Sequence, residues 1–235
     1  MKVSLFIWRV RTSAIPFAIL RMALDRLALR KVKGLTFVKL LGTGKGETFT
    51  PRDADLWQWA LLVVGTEGAI AAVKNSPLVK RWNLRVNESA IFDLAPLSSH
   101  GLWAKQAPFA DNSSQSRDAR QNIGPVAAIT RARIKWSKNL TFWRAVPPVI
   151  TELSTAPGLI AAIGIGEAPI GLQGTFSVWR DAQSLRNFAY KTVAHNDAIT
   201  ATKEIGWYSE ELFARFSVIS ATGSVNGIEV GHTAD

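Results

Sequence analysis

The chain has 235 residues, 47% hydrophobic and 20% charged, the composition of a folded protein with a sizeable core and not of a disordered one. Its 28 basic and 18 acidic residues leave a net charge of +10, which favours a polyanion, an anionic membrane surface or an acidic protein partner without choosing among them. Cysteine is absent, which excludes disulfides, cysteine nucleophiles, thiolate-ligated haem and cysteine-held iron–sulfur clusters.

The elements are read in chain order. Val3 to Val10 reads as a strand. Its apolar run ends at Arg9 and Arg11, too short for a signal segment or a bilayer span. Ile15 to Arg30 is predicted as an amphipathic helix. Gly34-Leu35 then opens a strand that ends at Gly42-Thr43-Gly44, and Trp57 to Val64 is another. A helix from Gly68 to Trp82 and a strand from Ala90 to Leu94 follow. The apolar stretch from Leu56 to Val73 is no membrane span, because Gln58, Thr66, Glu67, Gly65 and Gly68 interrupt it. We expect a cytoplasmic protein, with peripheral membrane contact as an open reading.

The same order then repeats. Val126 to Ile134 reads as a strand and Asn139 to Ser154 as a helix. Gly158-Leu159 opens a strand ending at Gly164-Ile165-Gly166, Leu172 to Trp179 is a strand, Ala182 to Tyr208 a long helix, and Leu212 to Ile219 the last strand. Each half is therefore β-α-β-β-α-β, the ferredoxin-like unit, whose uncovered sheet face needs cover. Two such units in tandem cover each other, which predicts an α+β fold with a dimeric-α/β-barrel-like core. The polar run Asp111-Asn112-Ser113-Ser114-Gln115-Ser116 marks the boundary. We divide the chain into an N-terminal half, 1–115, and a C-terminal half, 116–235.

The histidines are His100, His195 and His232 alone. On the long second-half helix Leu185, Phe188, Thr192, His195 and Ile199 form one helical stripe, so a mostly apolar face carries one imidazole. A flat, apolar, iron-containing ligand suits that setting; a core histidine satisfied by a backbone carbonyl has the same pattern. If Ser76-Pro77 matches Thr192-Val193, the first-half counterpart of His195 is Val79, and only the second half holds a ligand.

Arg131 and Arg133 sit inside one strand and share a sheet face by period two, and Arg215 sits inside another. Each needs a partner, either a haem propionate or bound oxygen species, or a carboxylate such as Glu210 or Glu211. Gln173, Thr175 and Ser177 alternate along one strand and line either a pocket or an ordinary polar face. Trp143, Phe176, Trp179, Phe188 and Trp207 divide between core and ligand cavity. Gly42-Thr43-Gly44-Lys45-Gly46 fits neither a P-loop nor a dinucleotide pattern and reads as a turn. The first helix carries Phe17, Leu20, Leu24 and Leu27 beside Arg21, Arg26, Arg30 and Lys31. It is either a packed surface helix or one that lies on an acidic bilayer. The basic residues match no nucleic-acid motif.

The runs Arg131-Ala132-Arg133-Ile134, Phe142-Trp143-Arg144-Ala145-Val146-Pro147-Pro148-Val149 and Gly164-Ile165-Gly166-Glu167-Ala168-Pro169-Ile170-Gly171-Leu172-Gln173-Gly174-Thr175-Phe176-Ser177 belong together. With Leu185-Arg186-Asn187-Phe188-Ala189-Tyr190, His195 and Gly206-Trp207-Tyr208-Ser209-Glu210-Glu211-Leu212-Phe213-Ala214-Arg215-Phe216, they resemble the spheroidene monooxygenase family across residues 125–220. The resemblance implies a haem b-dependent oxygenase of dimeric α/β-barrel type. Such an enzyme inserts oxygen, as hydroxyl and then ketone, near the end of an acyclic carotenoid, using O2 and a reduced ferredoxin. It makes His195 the iron ligand, set among Phe188, Thr192, Trp207 and Trp143, with Arg131, Arg133, Gln173 and Arg215 as catalytic candidates. Thr192-Val193 departs from the Ser-Pro of that pattern. Without cysteine, the other iron ligands to weigh are Tyr190, Tyr208 and Met22. Two rival readings remain open: a haem enzyme of another class, dehydratase or peroxygenase, on the same scaffold, and a non-catalytic binder of haem or an apolar ligand.

Overall fold

Continuous apolar residues buried on both faces make β1 (Lys2–Val10) a central strand. In the computed structural model, which describes residues 1–44, 53–109, 124–138, 152–167, 172–191, 206 and 208–233, β1 lies between β3 (Ala54–Gly65) and β4 (Val86–Gly101), antiparallel to both. Helix α1 (Ile15–Leu29) starts with Pro16 in its first turn, and β2 (Leu35–Gly44) follows. The strand order β4-β1-β3-β2 is that of a ferredoxin-like unit.

The predicted single helix over 68–82 is two helices, α2 (Glu67–Lys74) and α3 (Pro77–Asn83). The break is chemical. Pro77 has no N–H to continue α2, and the hydroxyl of Ser76 accepts a hydrogen bond from Val79 N at 3.3 Å, capping a new helix.

The second set runs β5 (Val126–Ile134), β6 (Leu159–Gly166), β7 (Leu172–Trp179), α4 (Ala182–Lys191) and β8 (Tyr208–Val225). Its order β8-β5-β7-β6 repeats that of the first. Asp181 caps α4, its carboxylate accepting from Ser184 N at 2.7 Å. That bond holds the Asp181 carboxyl below its ordinary range. The predicted helix 182–208 is corrected at its far end, because Tyr208 already belongs to β8; residues 192–205 lie outside the described residues, as does most of the helix expected at 139–154. Strands β4 and β8 are far longer than the expected 90–94 and 212–219. On β8 polar residues hid the start of the strand, and Glu210 among them is held by partners described below; within β4, Asp93 is held by Lys74 Nζ at 2.5 Å and by the hydroxyls of Ser4 and Ser220 at 2.6 and 2.9 Å.

The chain forms two compact units, residues 1–43, 55–95 and 218–235 in one and 44–54 and 96–217 in the other. The region 110–123, where the sequence boundary falls, lies outside the described residues. In the first unit α1, α2 and α3 cover one sheet face, and Phe6, Trp8, Val10, Trp59, Leu61 and Val63 fill it against Ile70, Leu78, Val79 and Trp82. In the second, Val126, Ala128 and Trp179 pack against Leu185, with Phe188 at the margin.

Candidate functional site

Antiparallel register fixes which side chains of the second unit share a face. Arg131 stands opposite Gly174 on β7 and Leu212 on β8, on the side of Ile129, Phe176 and Ala214. Ala128 stands opposite Ser177 and Arg215, on the side where α4 packs through Leu185 and Phe188. Arg131 and Arg215 therefore lie on opposite faces of one sheet.

The α4 face differs from its counterpart in the first unit in one physical respect, side-chain size. There Trp8 is stacked on Trp82 at 4.9 Å and on Phe6 at 5.5 Å, and the face is solid with aromatics. Here the equivalent surface is Ala128, Thr130 and Ala132 on β5, Thr175 and Ser177 on β7, and Ala162 and Gly164 on β6. Trp179 donates to Ser177 Oγ at 2.9 Å and meets Phe188 with ring centroids 5.3 Å apart, closing one end. At the other end Thr130 is exposed and Phe213, opposite it on β8, is 42% exposed. Half-buried Arg215 lies between these ends. A small-residue surface with aromatic edges, sharing its face with Arg215 and with Glu211 opposite Ala132, is a shape for a planar, largely apolar ligand.

The opposite face is already occupied by protein. Arg131 is 2% exposed. Its guanidinium pairs with Glu210, lies 3.6 Å from Glu167, and sits over the Trp103 ring at 5.5 Å, while Trp103 Nε1 donates to Glu167. Glu210 also accepts the N–H groups of Ala104 and Lys105 at 3.0 and 2.7 Å. Those two residues have φ of +55° and +61° and form the middle of a tight turn closed by reciprocal Trp103–Gln106 backbone bonds of 2.8 and 3.2 Å. Neither is glycine or asparagine, so the carboxylate offsets the cost of a left-handed turn by pairing both central N–H groups. Burial pushes the Glu210 carboxyl up. The N–H of Lys105, the Arg131 guanidinium and the N–H of Ala104 outweigh it and hold the group below its ordinary range.

The remaining candidates distribute as follows. Arg133 is exposed, in register with Glu210, and its carbonyl accepts from Ser209 Oγ at 3.1 Å. Gln173 occupies the β7 position opposite Ala132. Phe188 is half-buried against Trp179. His195, Thr192, Trp143 and Trp207 lie outside the described residues. Of the basic candidates, the carboxylate alternative holds for Arg131, whose partner is Glu210. The sequence reading missed Trp103 and Glu167, because no periodicity connects a turn after β4 with the end of β6.

No protein-family model matches the chain. A spheroidene monooxygenase of Rhodobacter capsulatus is 37% identical over 219 residues, covering 92% of this chain and 89% of that protein. The chain belongs to the spheroidene monooxygenase family. It is an oxidoreductase of that family. A second spheroidene monooxygenase, from Cereibacter sphaeroides, is 33% identical over 88% of this chain and 63% of its own length. A third, from Rubrivivax gelatinosus, is 35% identical over 84% of this chain and 74% of that protein. Among solved structures, an aldoxime dehydratase matches with a TM-score of 0.54 at 12% identity, over 92% of this chain and 80% of that one. An aldoxime dehydratase in complex with butyraldoxime matches with a TM-score of 0.56 at 12% identity, over 92% and 79%. This second likeness is one of fold, and the fold is the α+β class expected, of dimeric α/β-barrel type. Among the described residues of this spheroidene monooxygenase family member, no helix is long and apolar enough to cross a membrane.

Proposed function

We propose that the chain is a haem-dependent monooxygenase that oxidises an acyclic carotenoid near one end, with O2 and a reduced ferredoxin as co-reactants. The observation that carries the haem is the small-residue platform under α4, which its aromatic-filled counterpart in the first unit lacks. Haem b would be held on this surface, with Phe188, Trp179 and Phe213 as its aromatic neighbours. His195 is the iron ligand. Support comes from the repeat: its first-unit counterpart Val79 is 2% exposed and belongs to the core cluster of Trp8 and Trp82. Thr192, Trp143 and Trp207 complete the ligand's surroundings.

Bound haem supplies the oxidising chemistry, and the chain's own residues supply binding, orientation and charge. Arg215 pairs with a carboxylate of the cofactor on the α4 face, and Gln173 on β7 is the second polar candidate. The aromatic edges hold the polyene end and exclude water from it. Arg131, on the far face, pairs with Glu210 and supports the fold there. In balance, one oxygen atom enters a C–H bond and the other leaves as water, with two electrons from ferredoxin and two protons. A second turnover at the same carbon gives a gem-diol that loses water to the ketone.

The test is haem titration of wild type beside His195→Ala, followed by product analysis with an acyclic carotenoid, O2 and reduced ferredoxin. A Soret band that depends on His195, together with a hydroxylated or keto carotenoid, supports the proposal. Haem binding with an unchanged carotenoid assigns the chain another haem chemistry or ligand storage, and absence of a His195-dependent band overturns it.

A further inference from the structure

The apolar stripe of α1 faces outward. Its buried residues are Ala14, Ala18, Asp25 and Leu29, whereas Ile19, Leu20, Leu24 and Leu27 are 54, 57, 43 and 57% exposed. The helix thus turns Ala18, Asp25 and Leu29 toward the sheet, with Ile15, Phe17 and Met22 packed at the margin, and leaves Ile19, Leu20, Leu24 and Leu27 on the outer side, where the ordinary surface helix is polar. Asp25 explains how this orientation is held. Its carboxylate is fully buried, accepts from Trp82 Nε1 at 2.8 Å and pairs with Arg21, with Arg81 at 3.8 Å.

Burying Asp25 has an electrostatic consequence. It is the single acidic residue between Arg11 and Lys33, so the exposed surface of this stretch is leucine, isoleucine and cation. Arg26, Arg30, Lys31 and Lys33 are all exposed. Larger apolar side chains extend the surface at both ends. Trp57, 43% exposed, donates to Thr12 Oγ1 at 3.1 Å just before α1, and Leu56 beside it is 46% exposed. Leu84 is 71% exposed next to Arg85, whose guanidinium sits 4.3 Å from the Phe17 ring.

We propose that this face is a docking surface for an anionic lipid bilayer, with α1 lying in the interface plane. An indole, four branched aliphatic side chains and a cationic rim with no exposed acid between Arg11 and Lys33 match the apolar and charged layers of a membrane surface together. A second copy of the chain fits less well, because the pairing of two such faces brings like charges together in a protein of net charge +10. A soluble acidic partner satisfies the cations and leaves the leucines unmatched.

The test is co-sedimentation of the full chain with vesicles of phosphatidylcholine alone or of phosphatidylcholine and phosphatidylglycerol in equal parts. Binding is expected to the second and weakly to the first. It should weaken as salt shortens the screening length from about 8 Å at physiological strength to about 3 Å at 1 M. Leu20→Glu with Leu24→Glu should weaken binding more than about tenfold, and Arg26→Gln with Arg30→Gln by about fivefold per cation. Ile228→Glu, at a 47% exposed site on the C-terminal hairpin, should leave it unchanged. Leu20→Ser with Leu27→Ser, checked for folding by circular dichroism, repeats the test without added charge. Absence of binding by wild type, or equal binding by the leucine variants, overturns the proposal. So does a dimer in light scattering that the leucine variants dissolve without vesicle binding, or binding confined to acidic proteins. No readout here depends on haem or turnover, so the outcome is separate from that of the proposed reaction.

Discussion

Asp25 and Trp82 are 57 residues apart in sequence and joined by a 2.8 Å hydrogen bond in a fully buried setting. The bond fixes the rotation of α1 about its axis. Asp25→Ala leaves the indole donor buried without its acceptor and Arg21 without its partner, a loss of about 2–4 kcal/mol. Urea unfolding should show it, and Asp25→Asn, which keeps an acceptor for Trp82, should recover part of the loss.

Arg131 tests the difference between a structural and a catalytic cation. Removing it leaves Glu210 and Glu167 close together without their shared guanidinium, so Arg131→Ala should lower stability by about 3–5 kcal/mol. Arg131→Met combined with Glu210→Gln should restore much of that, by replacing charges with volume. In the double variant the Soret band on haem addition should match wild type, because Arg131 lies on the face away from α4. A lost band with stability intact would return Arg131 to the cofactor.

Asp93 and Glu210 set the acid limit. Burial raises the Asp93 carboxyl, but hydrogen bonds from Lys74, Ser4 and Ser220 and the charge of Lys74 bring it below its ordinary range, as the partners of Glu210 do there. Both ionise more readily folded than unfolded. The stability they contribute is complete above the unfolded carboxylate pKa of about 4, and is lost as pH falls through their lower folded values. The urea midpoint should drop in that window, and Asp93→Asn should flatten the drop while lowering the midpoint at neutral pH.

The platform predicts its own poison. Thr130→Trp places an indole on the exposed floor beneath α4, as Trp8 does in the first unit, and should abolish the Soret band at little cost to folding, since Thr130 is exposed. Arg215→Ala should instead weaken haem affinity by about tenfold or more, the worth of one charged hydrogen bond. Equal haem binding in both variants would put the cofactor elsewhere.

The order β-α-β-β-α-β in the first unit, and the strands and α4 of the second, were legible because alternation and helical spacing follow from burying one face of each element. The absence of cysteine and the scarcity of histidine were legible outright, and so were the motifs from 125 to 220 that carry the family resemblance. Periodicity gave the stripe Phe17, Leu20, Leu24 and Leu27 on α1 without saying which way it turns. That depended on Asp25 meeting Trp82, a contact across the whole first unit. It gave Arg131 and Arg133 one face and offered Glu210 among the alternative partners, but only the fold chose that carboxylate, 79 residues away on β8, for Arg131. Strand extent failed at the start of β8, where Ser209, Glu210 and Glu211 broke the apolar pattern and the partners of Glu210 sit on other segments. Composition and local pattern fix which elements form, because each residue carries its own hydrophobicity and conformational preference. Which faces meet, which charges are paired and where space is left for a ligand are set by the register and packing of distant segments, and only the folded chain decides them.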